Sequence, residues 1–77
     1  MRPTNNRALS PEIAIAFAEL RQWRGMTQSA NLTKLGIRLL WRAAMAEGWG
    51  REQIERLIVQ AISLGNDDAK RTGVLSE

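Results

Sequence analysis

The chain has 77 residues and a mass of 8.6 kDa, the size of one small domain. Eleven Lys and Arg oppose eight Asp and Glu, a net charge of +3, and 44% of the residues are hydrophobic, which predicts folding rather than disorder. Cys, His and Tyr are absent, which excludes disulfides, thiolate nucleophiles, Cys/His zinc sites and His-based acid–base catalysis.

Residues 1–9 form a polar arm with Arg2 and Arg7 and no helical period, so they are expected to be mobile. Such an arm suits a minor groove, but arginines in a tail also serve solubility alone. Ser10-Pro11-Glu12 then predicts a helix start. Ser accepts from a free backbone N–H, Pro lacks an N–H that would be unpaired there, and Glu suits the positive end of the helix dipole. The first helix is expected over 11–23, stopping before Gly25. Ile13, Ala16, Phe17 and Leu20 would face the core, and Ile15 and Ala18 would point elsewhere.

After a polar interval at 25–32, a second helix is predicted over 32–47. Leu32, Leu35, Leu39, Ala43 and Ala46 make one stripe, and Ile37, Leu40, Trp41, Ala44 and Met45 cover much of the rest. A helix apolar on so many sides is expected at the centre of the fold. Gly36 within it permits close approach of a neighbour. Gly48 suits a left-handed helix end and Gly50 an N-cap, so a third helix is predicted over 50–64. Ile54, Leu57, Ile58, Ala61 and Ile62 form its apolar stripe. Gly65-Asn66 is expected to close it, leaving 66–77 as a polar tail.

The expected architecture is all-α: a compact three-helix domain over 10–65 with mobile ends. A core this small is marginal alone. The apolar surplus therefore points to a homodimer that shares its core. No run reaches the length needed to span a bilayer, and Glu12 and Glu19 fence the apolar run 13–18 too tightly for a signal peptide. With no Cys and no export signal, the expected location is the cytoplasm, with no membrane partner.

From Leu20 to Ala46 there is no acid, while Arg21, Arg24, Lys34, Arg38 and Arg42 lie in that stretch. Lys34, Arg38 and Arg42 recur every four residues, so each step drifts only about 40° around a helix. Stacked like charges are mildly unfavourable in an isolated helix. A phosphate backbone would offset that cost, as would a membrane surface or an acidic protein. The bland alternative is a solvated face.

Ala44, Gly48, Trp49, Ile54 and Leu57 resemble the small, glycine and apolar positions of short helix-turn-helix DNA-binding regulators, over residues 40–59. Glu47 and Gly50 depart from that pattern, standing where an apolar residue and a Ser or Thr are usual. The resemblance implies that the third helix lies in the major groove, presenting Arg51, Glu52, Glu55 and Arg56. Residues 46–54 also resemble the helical half of ribbon-helix-helix repressors. That family implies an intertwined dimer and a short strand, for which Ser29, Asn31 and Thr33 alternate suitably.

Trp23, Trp41 and Trp49 suit either core packing or base stacking. Trp23, beside Arg21 and Arg24, is the one expected to be exposed. Glu52 with Glu55 and Asp67 with Asp68 are the paired carboxylates; Glu52 and Glu55 share a helix face but, without a third ligand, read as ordinary surface residues. Asp67-Asp68 lies past the expected helix end, where acids oppose the dipole. No phosphate loop and no nucleophile beside a base is present, so no enzyme activity and no cofactor are expected.

The expected function is therefore nucleic-acid binding, as a DNA-binding transcriptional regulator. Its candidate contacts are Arg21, Arg24, Lys34, Arg38, Arg42, Arg51 and Arg56. The rival is a helical interaction protein that regulates or inhibits a partner with an acidic surface. Its anchors would be Ile15, Trp23, Trp41 and Trp49, because Trp and Arg most often carry interface energy.

Overall fold

A computed structural model describes residues 9–73; the expectations for Arg2, Arg7 and the end of the tail lie outside that range. Three helices are present: α1 (Pro11–Met26), α2 (Ala30–Ala46) and α3 (Arg51–Thr72), with no strand among the described residues. No helix among them is long and apolar enough to cross a membrane.

Ser10 caps α1 as its sequence predicts, its Oγ accepting from the Ile13 N–H at 3.2 Å. The same hydroxyl donates to the Glu47 carboxylate, which ties the start of α1 to the end of α2. The helix does not stop before Gly25 but runs on to Met26. Gly25 is buried within it, because its bare backbone is where α3 approaches.

Ser29 caps α2, accepting from the Leu32 N–H at 3.3 Å. The alternating segment 29–33 is thus this cap and the first helical turn, not a strand. At the far end Gly48 takes φ +81°, a conformation that favours glycine. Trp49 and Gly48 N–H groups close the turn on Ala44 and Met45 carbonyls at 3.1 and 3.0 Å. Gly50 then opens α3, with the Gln53 side chain accepting from its N–H at 3.0 Å, the half of a capping box that glycine allows.

The core comprises Ile13, Ala16 and Leu20 of α1, Leu40 and Ala44 of α2, and Ile54, Ile58 and Ala61 of α3. The stripes expected on α1 and α3 are those found. The stripe on α2 is not. Gly36, Leu40 and Ala44 face inward, while Leu32, Leu35, Leu39 and Ala46 are exposed. Nor is α2 central. Instead α1 packs extensively on both other helices, which touch each other much less. The reason is Gly36: a Cβ there would lie 2.8 Å from Leu20 Cδ1 and 3.3 Å from Leu20 Cα, so the glycine row lets α1 settle on α2 at close range.

The third helix continues two turns past Leu64, to a left-handed Gly73. Gly65 does not end it. A Cβ at Gly65 would meet Arg24 Cβ at 2.6 Å and the Arg21 carbonyl oxygen at 2.7 Å, and Gly25 lies against the same crossing. The absence of both side chains brings the two backbones together, and Ala69 is buried in the added turns. Tertiary contact, not local propensity, carries α3 onward.

Candidate nucleic-acid interface

The α1–α3 crossing is held by a polar clamp as well as by close approach. Arg21 grips Asp68 through two donors, Nε to Oδ2 at 2.7 Å and Nη2 to Oδ1 at 3.1 Å. This hydrogen bonding holds the Asp68 carboxyl below its usual range; burial opposes the shift, and the charges of Arg21 and Arg71 add to it. The same hydrogen bond raises Arg21 above the ordinary arginine value. Arg24 donates to Asn66 Oδ1 at 3.1 Å and to Thr33 Oγ1 at 3.0 Å, so one guanidinium links all three helices. Asp68, placed by sequence reasoning in a tail, is therefore the partner that fixes α1.

These contacts sort the seven candidate cations. Arg21 and Arg24 are engaged within the fold. Arg51 lies 3.5 Å from Glu55 one turn on, an exposed pair of small energetic weight. Lys34, Arg38, Arg42 and Arg56 have no ion pair or hydrogen bond among the described residues. Three of those four form the row on α2.

Helix geometry explains their placement. With Gly36, Leu40 and Ala44 turned inward, Lys34, Arg38 and Arg42 occupy about 80° of the outer surface, and all are exposed. Between the inward row and the cations runs Ile37 and Trp41, both half-buried and packed against the core. The five residues Lys34, Ile37, Arg38, Trp41 and Arg42 line an open hollow of about 320 Å³. Its floor is apolar and fixed; its walls are cationic. The role of Ile37 is not visible in the charge pattern, because it depends on which row of α2 turns inward.

The remaining sites fall differently. Ile15, on α1, is 59% exposed. Trp23 is half-buried like the other two tryptophans, not exposed. Trp49 packs against the core beside the turn. Of the residues that carry the helix-turn-helix resemblance, Ala44 and Ile54 are buried, Leu57 is half-buried and Gly48 is left-handed. Glu47 is exposed and takes its hydrogen bond from Ser10, which accounts for a carboxylate where that motif carries an apolar side chain. The outer surface of α3 forms a second open hollow, lined by Glu52, Glu55, Arg56, Val59, Gln60, Ser63 and Leu64.

No group of three or more potential metal ligands occurs among the described residues. No known family model, curated protein or solved structure matches the chain.

Proposed function

We propose that this is a non-enzymatic nucleic-acid-binding protein that contacts phosphates through the outer face of α2. The observation that supports it is the row Lys34, Arg38 and Arg42, which has no partner among the described residues, while Arg21, Arg24, Arg51 and Arg71 all have one. Three like charges at one-turn spacing weaken a helix slightly unless an anion lies along them. A phosphate backbone provides a row of such anions and releases counterions when neutralised.

A DNA-binding transcriptional regulator acting on duplex DNA, with Arg51 and Arg56 reaching a groove from the start of α3, is the competing form of this reading. It rests on the helix-turn-helix resemblance. Glu52 and Glu55 on the same helix repel phosphate, so the affinity is assigned to α2 and not to α3.

The test is fluorescence anisotropy of labelled nucleic acid at two salt concentrations. Binding that weakens steeply with salt is expected. Each of Lys34→Ala, Arg38→Ala and Arg42→Ala should weaken it for all sequences alike and reduce the salt slope by about one. Unchanged binding in all three variants would remove the α2 row as the site.

A second reading, a helical interaction protein, is favoured by one observation. Leu32, Leu35 and Leu39 form a leucine flank on α2 that the fold leaves 36–42% exposed. Either a partner or a second copy of this chain would cover it. Sedimentation of the wild type against Leu35→Glu decides between them: a dimer that the variant splits supports self-association, and a monomer in both points to another partner.

A further inference from the structure

Resting on the reading of α2 as a phosphate-binding face, we infer that the ligand is single-stranded nucleic acid, one base of which seats in the hollow against Trp41. Three observations converge. The hollow has a volume of about 320 Å³ and is open to solvent along one helix, which gives room for one planar ring system. Its floor is an indole packed against the core, so the ring is held in place before any ligand arrives. Its walls are Lys34, Arg38 and Arg42, and successive cations rise about 6 Å along the helix, close to the step between neighbouring phosphates of a single strand.

In a duplex the bases are stacked on one another and offer no free face, so Trp41 would meet only sugar and phosphate. A single strand offers both surfaces at once: phosphates for the cations and a base face for the indole. That combination of charged track and aromatic platform is how proteins hold single strands without reading their sequence. The outer face of α3 argues the same way, since Glu52 and Glu55 line its hollow and disfavour insertion of that helix between two phosphate backbones.

The test uses the full-length protein. Short oligothymidylate, oligouridylate and a mixed-sequence duplex of equal length are titrated at low salt, with anisotropy and tryptophan emission read together. The single strands are expected to bind more tightly than the duplex and to quench emission. Trp41→Leu, which keeps an apolar side chain on the core, should weaken single-strand binding by about tenfold or more and leave duplex binding unchanged. The two oligonucleotides separate DNA from RNA as the source of the strand. Equal affinity for strand and duplex, indifferent to Trp41→Leu, would overturn the inference and leave phosphate binding by α2 standing. No salt-sensitive binding of any of the three would overturn both. Should Trp41→Leu not fold, photo-cross-linking of a 5-iodouracil oligonucleotide to the wild type serves instead. A cross-link mapped to Trp41 supports the seated base, and cross-links confined to other residues overturn it.

Discussion

The α1–α3 seam and the outer face of α2 are both rich in arginine, and they use it in opposite ways. At the seam, Gly25 and Gly65 remove side chains so that two backbones meet, and Arg21 and Arg24 are bound to Asp68, Asn66 and Thr33 around the crossing. On α2, Lys34, Arg38 and Arg42 stand in a row with no partner among the described residues. The basic stretch from residue 20 to residue 46 is thus two things. Its first part is scaffold and its second part is surface. The difference teaches that a run of cations gains meaning only from what the fold sets against it, and here, among the described residues, the fold supplies hydrogen-bond partners to one half alone.

Filling the seam should break that contrast most severely. Gly65→Ala sets a methyl group against the Arg21 carbonyl and the Arg24 stem. Overpacking of this kind costs about 1–3 kcal/mol, only partly offset by the better helix propensity of alanine. Urea denaturation should show the loss as a lower midpoint. Little change in midpoint would mean that the helices separate easily and that the seam is loose.

Next in size is the clamp. Asp68→Asn should lower the melting temperature at neutral pH. Because the folded Asp68 carboxyl titrates below its ordinary value, its contribution is fully present above the unfolded pKa of about 3.9. It is lost as pH falls through the folded value. The gap in melting temperature between wild type and variant should therefore hold steady from neutrality to about pH 5 and close below about pH 4. A gap that persists in stronger acid would show that Asp68 acts through packing and not through charge.

The α2 row should behave in the opposite manner. Arg38→Ala and Arg42→Ala should leave the melting temperature almost unmoved, since each removes an exposed cation from a like-charged row. Their effect should appear in salt-dependent nucleic-acid binding alone. The smallest effect belongs to Ile15→Gln, on an exposed α1 position outside both regions. Neither stability nor nucleic-acid binding should change measurably, and a lost interaction there would support Ile15 as a docking anchor.

The sequence was a good guide where periodicity and capping agree. Ser10-Pro11-Glu12, Gly48 and Gly50 start and stop helices as their chemistry dictates, and the inward stripes of α1 and α3 follow from spacing. It misled where glycine has two meanings. Gly25 and Gly65 read locally as helix ends, yet both are contact points inside longer helices. The same ambiguity hid the polar clamp, because Asp68 is unremarkable until α3 is long enough to carry it to Arg21. On α2, two apolar rows competed for the core. The leucine row is the more hydrophobic, but Gly36, Leu40 and Ala44 are narrower and admit α1 more closely. Close packing over a small row prevailed, and that choice left the leucines outside and set Trp41 beside the cations.

Ser10 carries a consequence of a different kind. Its hydroxyl accepts from the Ile13 N–H while donating to Glu47, so a single oxygen acts in both directions. Aspartate caps helices as well as serine does in general. At this position it would set one carboxylate against another and forfeit the donor. A substitution that capping statistics treat as neutral is therefore disfavoured here, and a serine whose first duty is local becomes a latch between the first and last turns of the bundle's two neighbouring helices.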